Sequence, residues 1–303
     1  MKHNYPKVSL GRFCRLLGLT RQSYYQHFWQ QEQSAFEEEL VLSEVLIIRK
    51  KHRRMGGRKL YELLNPFLLE HQIKMGRDRL FDVLSANYLL IKLRKKQSIT
   101  TNSFHRFKKY PNLIRNFIPS SPNQLWVSDI TYWRIKERFL YISFITDAYS
   151  RKIVGYHLGD SIQTSQTIQA LQLAILNLTV EGKNNLYLTH HSDRGTQYCS
   201  NEYVTLLENN NIGISMTENG DPLVNAIAER VNGIIKEEYL NDYQVDNLKE
   251  AKELLDAVVQ LYNNERPHMS IGNHTPNHVH QNNIKTEKLW KNYYVKSPII
   301  VNQ

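Results

Sequence analysis

The sequence NLYLTHHSDRGTQY, at residues 185–198, joins an apolar run to a carboxylate and a turn. The run at 186–188 predicts a strand that continues to Asp193 and ends there, and Gly195 predicts a turn directly after it. A carboxylate at the end of a strand, beside a glycine turn, is a common place for a catalytic or metal-binding group. Asp193 is therefore the first candidate site residue.

A second stretch, SMTENGDPLVNAIAERVNGIIKEEYL at residues 215–240, predicts a helix from Ala226 to Leu240. At about 100° per residue, its apolar and polar side chains fall on opposite faces. The apolar face carries Ile227, Val231 and Ile234, and the polar face carries Asn225, Glu229, Asn232 and Lys236. Because Glu237 and Glu238 do not share the polar face, Glu229 is the second candidate carboxylate.

The sequence LWVSDITYW, at residues 125–133, predicts an apolar strand with Asp129 inside it. Burying an unpaired carboxylate is costly, so Asp129 is expected to have a specific partner. Two Asp on strands and one Glu on a helix are what a two-metal phosphoryl-transfer site requires, because two divalent ions about 3.5–4 Å apart can hold the attacking and leaving oxygens. Mg²⁺ and Mn²⁺ prefer such oxygen ligands. Asp129, Asp193 and Glu229 are thus the predicted catalytic and metal-binding residues, with two ions per site.

Five motifs in a fixed order give the chain a resemblance to a known family. They are Trp126-x-Ser128-Asp129-Ile130-Thr131-Tyr132, Asp147-Ala148-Tyr149-Ser150-Arg151, His191-Ser192-Asp193-Arg194-Gly195-x-Gln197-Tyr198, Asn225-Ala226-x-Ala228-Glu229 and Tyr262-Asn263-x-x-Arg266-Pro267-His268. With these motifs the chain resembles the DDE transposases of the retroviral-integrase superfamily, and more narrowly the OrfB-type transposases of bacterial insertion sequences.

The resemblance implies an α/β fold of the RNase H-like class, the integrase catalytic core, in which helices flank a mixed sheet. It also implies small all-α helix-turn-helix DNA-binding modules before that core. It further implies that Asp147 supports the core and that Lys236 holds the transposon end. One departure is Val224, where the family usually has Asp.

Charge is distributed unevenly along the chain. Residues 1–120 hold 23 Lys and Arg against 9 Asp and Glu, a surplus of 14 positive charges, whereas residues 121–303 hold 16 against 20. This division predicts a DNA-binding front half and a metal-binding back half. The two cysteines, Cys14 and Cys199, support neither a disulfide framework nor a Cys/His zinc site. Without a bilayer-length apolar run or an N-terminal signal core, the protein is expected to be cytoplasmic and nucleoid-associated.

The pattern predicts five parts: a helix-turn-helix segment at 1–32, a helical DNA-binding domain at 33–97, a linker at 98–120, an integrase-type catalytic core at 121–283 and a C-terminal tail at 284–303. In the first part, a short second helix is expected at 21–27. In the second part, a helix beginning at Arg58 is expected to end at Pro66. Residues from Asn277 onward are expected to pack loosely.

DNA contacts are predicted mainly in the front half, where a helix-turn-helix shape and two basic clusters occur. The predicted DNA-binding residues are Arg21, Gln22, Tyr25, Arg53, Arg54, Arg58, Arg77, Arg94, Lys95, Lys96 and Lys236. The linker is expected to follow DNA through Arg106, Lys108 and Lys109.

Within the core, strands are predicted at 125–134, 139–147, 152–158 and 212–216, and helices at 164–178, 201–209 and 249–263. Two questions about histidines stay open. His190, His191 and His268 either touch the scissile phosphate or stabilise loops. His274, His278 and His280 suggest zinc only weakly, because no Cys or carboxylate is spaced to complete such a site.

The function expected from these features is metal-dependent DNA cleavage and strand transfer at insertion-sequence ends. One alternative is a hydrolytic nuclease of the same fold, and another is a DNA-binding regulator that uses only the basic front half. The expected partners are double-stranded DNA, as element ends and as target, and further copies of the chain on that DNA. The resemblance also suggests that the chain is the downstream part of a frameshift fusion with an upstream helix-turn-helix protein.

Overall fold

The structure, a computed structural model, describes residues 8–92, 106–115, 117–136, 138–180, 187–218 and 225–287. These residues divide into two compact units. One lies within Met1–Lys51 and Gly56–Ile91, and the other lies within His52–Met55 and Lys92–Gln303. We call them the helical unit and the sheet unit.

The helical unit is built from α-helices whose apolar faces enclose one core. The helices are α1 (Leu10–Leu16), α2 (Arg21–Lys51), α3 (Gly57–Glu70) and α4 (Arg77–Ala86). Side chains buried in the core include Val41, Val45, Leu60, Leu64, Leu80 and Leu84. This agrees with the apolar periodicity of the segment.

Helix α2 differs from the prediction of a short helix at 21–27. It begins after Thr20, whose hydroxyl oxygen accepts a hydrogen bond from the Ser23 N–H at 3.0 Å, and continues through 31 residues to Lys51. No glycine or proline occurs between its ends, so nothing in the backbone stops the helix. The boundary predicted between residues 32 and 33 therefore falls inside a continuous helix.

Helix α3 also runs further than predicted, because it contains Pro66 and ends at Glu70. A proline inside a helix removes one backbone hydrogen bond and costs about 3 kcal/mol. Leu64 and Leu68, on either side of Pro66, are both buried in the core. Burying two leucines contributes about 3–6 kcal/mol, which is enough to offset that cost.

The sheet unit alternates strands and helices along the chain. Its elements are β1 (Leu125–Ile135), β2 (Arg138–Asp147), β3 (Ile153–Gly159), α5 (Thr164–Val180), β4 (Thr189–Ser192), α6 (Thr196–Cys199), α7 (Asn201–Asn209), β5 (Gly213–Met216), α8 (Ala226–Ile234), α9 (Leu248–Asn264) and α10 (Pro276–Asn282). Helix α8 continues into a π-helical turn, Ile235–Tyr239, and a 3₁₀ turn, Leu240–Asp242. None of the helices in the described ranges is long and apolar enough to cross a membrane.

The five strands form one mixed sheet in the order β3-β2-β1-β4-β5. The pairs β1–β2 and β2–β3 are antiparallel, whereas β1–β4 and β4–β5 are parallel. A parallel connection needs a crossover, which α5 supplies between β3 and β4. The predicted mixed sheet flanked by helices is confirmed.

Helices cover both faces of this sheet because successive strand residues point to opposite sides. Phe144 packs in a core with residues of α8 and α9, and its neighbour Ile145 packs in a second core with residues of α5 and α7. Helix α5 lies very close to β3, since a Cβ on Gly155 would come within 2.3 Å of the Ala170 carbonyl oxygen. Only glycine fits at that position.

Part of the segment predicted as a linker belongs to the sheet unit. The Met216 N–H of β5 donates to the Pro111 carbonyl oxygen at 3.3 Å, and the Leu113 N–H donates to Ser215 Oγ at 2.9 Å. Tyr110 and Ile114 pack against its apolar cores. Residues 110–114 are thus held on the sheet and are not a free linker, whereas the predicted DNA contacts of Arg106, Lys108 and Lys109 stay a prediction.

The prediction of loose packing after Asn277 is wrong for the described residues. Helix α10 buries Val279 and His280 completely. The Tyr149 hydroxyl donates to the Ile284 carbonyl oxygen at 2.7 Å, so the chain beyond α10 is also held. The polar composition of this segment suggested that it is exposed. A histidine can nevertheless be buried when its ring nitrogens have hydrogen-bond partners inside the protein.

Candidate active site

Two of the three candidate carboxylates belong to neighbouring parallel strands, one within its strand and the other directly after it. Asp129 is in the middle of β1, and Asp193 directly follows β4. The paired register ends at Val127 and His191, two residues before each Asp, and the charge of Asp193 acts on the Asp129 carboxyl group. The Gly195 N–H donates to Asp193 Oδ1 at 2.9 Å, and this turn fixes the carboxylate where the strand ends.

The third carboxylate, Glu229, is exposed on the first turn of α8. Two asparagines on the same face hold this helix against β1. Asn225 donates from Nδ2 to the Ser128 carbonyl oxygen at 3.2 Å, and Asn232 donates from Nδ2 to Asp129 Oδ2 at 2.8 Å. They stand four residues before and three residues after Glu229, so the helix face that carries Glu229 is the face turned toward Asp129.

Asn225 and Asn232 were recognised in the sequence only as members of a polar face. Their spacing around Glu229 was the available signal, but it did not identify β1 as their partner. Each keeps a buried side-chain oxygen, Oδ1, for which no hydrogen-bond partner is found within the described residues. A buried acceptor next to a carboxylate cluster suits a bound cation or its water better than an apolar neighbour.

The carboxylates act on one another electrostatically. Burial, followed by the charges of Asp193 and Glu229, raises the pKa of Asp129 to about 7, against the lowering effect of hydrogen bonds from Ile130 N–H and Asn232. Among the residues that the structure describes, no three His, Cys, Asp or Glu side chains converge closely enough to be a ready-made metal site. The carboxylates are therefore electrostatic neighbours, and not a closed cage.

The donor set fits a hard divalent cation. Asp129, Asp193 and Glu229 offer carboxylate oxygens, the ligands that Mg²⁺ prefers, and Mg²⁺ usually takes only one or two of them together with water. The repulsion that raises the pKa of Asp129 is what a cation would relieve.

The raised pKa of Asp129 predicts a pH-dependent gain in stability for Asp129→Asn when EDTA removes divalent ions. The folded protein holds this proton more tightly than the unfolded chain, whose Asp has a pKa near 3.8. Folding stability is therefore lost as pH rises from about 4 to about 7. Asn does not ionise, so the variant should have the higher Tm at pH 8, and the difference should vanish toward pH 4. A gain that did not depend on pH, or an equal gain in the exposed control Glu208→Gln, would contradict this explanation.

His190 and His191 are buried behind the two aspartates and take part in internal hydrogen bonds. His190 Nε2 lies 2.7 Å from Ser128 Oγ and 3.0 Å from the Tyr203 hydroxyl, and His191 Nδ1 lies 2.8 Å from Ser215 Oγ. Burial lowers the pKa of His190 to about 3 and that of His191 to about 4, with His191 adding to the first shift. Both are therefore neutral at pH 7 and stabilise β1, β4 and β5. Of the two alternatives left open, the structure favours the stabilising role.

Asp147 has a structural environment. Its Oδ1 accepts hydrogen bonds from the Ser150 N–H and hydroxyl, each at 2.7 Å, and its Oδ2 accepts one from the Asn123 N–H at 2.7 Å. Burial alone would raise its pKa, but the hydrogen bond and charge of His280, followed by the Ser150 bonds, lower it. This network occupies His280 as well, which leaves it unsuited to the weak zinc alternative.

Lys236 lies beside β1 and is only partly exposed. Its Nζ donates to Thr131 Oγ1 at 3.2 Å and lies 4.1 Å from the centre of the Tyr132 ring. Burial lowers its pKa, while the charges of Glu237 and Asp129 act in the opposite direction. Thr131 and Tyr132 are on β1, the strand that carries Asp129. The Lys236 ammonium group is therefore held close to the Asp129 carboxyl group.

The remaining predicted DNA-binding residues fall into three groups. Arg21, Gln22 and Tyr25 are exposed at the start of α2, and Arg58 and Arg77 are exposed at the starts of α3 and α4. Arg53 and Arg54 make contacts within the sheet unit, where Arg53 lies 4.0 Å from the centre of the Tyr243 ring and Arg54 donates to the Lys92 carbonyl oxygen. Arg94, Lys95 and Lys96 lie outside the described residues, as does Val224.

The sheet unit matches two family models, both described as integrase core domain. The first covers residues 119–222, and the second covers residues 210–276. Together they include β1 to α9, and all three candidate carboxylates lie within them. The predicted integrase-type, RNase H-like fold class is thus confirmed.

Several proteins of known bacterial insertion elements are similar to this chain over most of its length. An insertion element IS600 protein of 31 kDa from Shigella sonnei is 33% identical over 265 residues, covering 87% of this chain and 95% of that protein. The transposase for insertion sequence element IS629 from Shigella sonnei is 29% identical over 278 residues, covering 89% and 90%. The transposase for insertion sequence element IS904 from Lactococcus lactis is 27% identical over 250 residues, covering 74% and 96%.

Solved structures of retroviral proteins are more distant. The HTLV-2 integrase catalytic core domain in complex with magnesium has a TM-score of 0.41 and 21% identity, covering 53% of this chain and 97% of that one. A simian T-cell lymphotropic virus intasome chain has a TM-score of 0.46 and 16% identity, covering 83% and 78%. By its integrase core domain and its relatives, the chain belongs to the bacterial insertion-sequence transposases, enzymes that move a DNA element by cutting and joining DNA strands.

Proposed function

We propose that Asp129, Asp193 and Glu229 form the catalytic centre of this transposase and bind two divalent ions, Mg²⁺ or Mn²⁺. The observation that carries the proposal is that the charges of Asp193 and Glu229 act on the Asp129 carboxyl group. Glu229 is on a helix face that Asn225 and Asn232 bind to β1. When bound, such ions supply positive charge and an activated oxygen nucleophile to an anionic phosphodiester.

The residues of the chain prepare this centre in separate ways. Asn232 holds the Asp129 carboxylate toward α8 through its hydrogen bond. The Gly195 N–H orients the Asp193 carboxylate. Neutral His190 and His191 fix the strands behind both without adding positive charge that would compete with a cation.

The proposed reaction has two steps at this one centre. Water attacks a phosphodiester at the element end, and the bond to the 3′ oxygen breaks, which leaves a free 3′-hydroxyl. The oxygen of that hydroxyl then attacks a phosphodiester of the target, forming a new bond to phosphorus while the target's own bond between phosphorus and its 3′ oxygen breaks, and the proton passes to that leaving oxygen as a new 3′-hydroxyl. No covalent intermediate with the enzyme is needed.

A strand-transfer assay tests the proposal. Duplexes bearing the element end, with a labelled 3′-hydroxyl strand, are expected to give joined products when target DNA and Mg²⁺ are present. Cleavage without any joined product would favour the nuclease alternative. DNA binding without either reaction would favour the regulator.

Beyond the reaction itself, we infer that several copies of the chain assemble on two element ends and a target duplex. We also infer that an upstream helix-turn-helix protein is fused to this chain as its partner. The support is chemical, because one centre handles one strand at a time, whereas an element has two ends to be joined. The surplus of 14 positive charges in residues 1–120 supplies the general attraction to DNA.

Lys236 is proposed to contact a phosphate of the element end. Lys236→Ala is expected to weaken binding of end DNA roughly tenfold, as for loss of one hydrogen bond to a charged group. Metal-dependent stabilisation should be unchanged, since Lys236 is not a carboxylate ligand. Affinity for an end-bearing duplex, measured beside Lys249→Ala at an exposed position, checks this result. Equal affinity in both variants would mean that Lys236 does not reach DNA.

A further inference from the structure

Most of the motif at Tyr262–His268 is buried, including Tyr262, Asn263, Arg266 and His268. Arg266 is completely buried and forms a bidentate ion pair with Glu238. Its Nε donates to Oε2 at 2.8 Å, and its Nη2 donates to Oε1 at 2.6 Å. Its Nη1 donates to the Pro267 carbonyl oxygen at 3.3 Å and lies 2.9 Å from His268 Nε2. The guanidinium group is thus fixed in one orientation.

The same motif is anchored to the sheet. The Asn263 side chain exchanges two hydrogen bonds with the backbone N–H and carbonyl oxygen of Ile153, each at 3.0 Å. The Tyr262 hydroxyl donates to the Arg151 carbonyl oxygen at 3.0 Å. Arg266 therefore projects from a backbone that β3 and the turn before it hold in place.

Glu238, the partner of Arg266, belongs to the π-helical turn that continues α8. Turns of this type are rare and appear mostly as single-turn bulges. Lys236 lies in the same turn, two residues earlier, and contacts Thr131 and Tyr132 of β1. The turn is therefore held by Arg266 through Glu238 and by β1 through Lys236, and the Tyr239 hydroxyl at its end lies 2.9 Å from His52 Nδ1.

We propose that Arg266 is a positioning residue, whose ion pair with Glu238 fixes the π-helical turn and so holds the Lys236 ammonium group beside Asp129. Bidentate pairs impose geometry as well as attraction. Buried ion pairs contribute little net stability compared with apolar residues of similar size, so the contribution of this pair is to geometry. The consequence for DNA binding rests on the proposed contact between Lys236 and the element end.

The variants are chosen to separate positioning from folding. Arg266→Met alone leaves Glu238 without its partner and is expected to lower Tm strongly. The double variant Arg266→Met, Glu238→Leu removes both charges, so it is expected to fold with a Tm near that of the parent. Tyr132→Leu removes the ring above Lys236 and serves as the spectroscopic control.

The first measurement is the side-chain NMR spectrum of protein labelled with ¹³C at lysine Cε. The Lys236 signal is identified by its absence in Lys236→Arg, and the Tyr132 ring is expected to shift it away from the signals of exposed lysines. In the folded double variant this signal should move to its position in Tyr132→Leu. A folded double variant whose Lys236 signal stays at the parent position would overturn the proposal.

The second measurement is a double-mutant cycle for binding of an end-bearing duplex. The Arg266–Glu238 double variant should lose the same factor in affinity as Lys236→Ala, and combining the changes should cause no further loss. Additive losses would contradict action through Lys236. If Lys236→Ala itself binds as tightly as the parent, the proposed DNA contact fails, whereas the NMR result still decides the positioning role.

Discussion

Replacing Asp129 by Asn, Asp193 by Asn or Glu229 by Gln is expected to abolish DNA cleavage and strand transfer together. Each change keeps the shape of the side chain but removes one negative charge from the proposed metal ligands. Members of a catalytic set act as a unit, so each loss should reach roughly three orders of magnitude or more, and double variants should be no worse than single ones. Mg²⁺-dependent cleavage of an end-bearing duplex and joining to target DNA are the measurements.

The control for these variants is Glu208→Gln, at an exposed position on α7. Glu238 is unsuitable as a control because its carboxylate pairs with buried Arg266. Folding and DNA affinity should survive in the three site variants, since the carboxylates repel one another without a cation. Near-normal cleavage in any of the three, with the others inactive, would remove that residue from the proposed centre.

Removing the basic front half is expected to have the second-largest effect. A fragment of residues 106–303 keeps residues 110–114, which are hydrogen-bonded to β5 and packed on the sheet unit. It lacks most of the positive surplus of residues 1–120. If the full chain contacts 6–10 phosphates, its affinity should fall by about 10³–10⁵ between 50 and 200 mM salt. The fragment should bind far more weakly, with a shallower salt dependence.

Affinity measured at four or five salt concentrations for the full chain and the fragment checks this division of labour. Circular dichroism of the fragment provides the control for folding. A folded fragment with the affinity and salt slope of the full chain would show that the front half is not the main DNA-binding part.

Local patterns predicted most of the sheet unit correctly. The strand predicted at 125–134 is observed as Leu125–Ile135, and the helix predicted at 249–263 is observed as Leu248–Asn264. Alternation of apolar residues along a strand, and their recurrence along a helix, depend only on near neighbours. The same signals placed Asp129 on a strand and Glu229 on a helix, whereas Asp193 was predicted on a strand and lies directly after β4.

Contacts between distant residues could not be predicted in this way. Asn232 and Asp129 are 103 residues apart, and Ser150 and His280 are 130 apart. No periodicity connects such pairs, because they meet only after the sheet has formed. The π-helical turn could not be predicted for the same reason. In the sequence Glu238 resembles any glutamate on a helix, and its ion pair with Arg266 forms only in the folded protein.

The hydrogen bonds on the two outer strands have a consequence for solubility. An outer strand offers unpaired backbone groups that can recruit a strand from another molecule and start aggregation. The Pro111–Leu113 segment covers part of β5, and the Asn263 amide occupies both backbone groups of Ile153 at the start of β3. A shortened protein that begins after residue 115 would uncover β5, so we expect it to precipitate more readily than one that begins at Arg106.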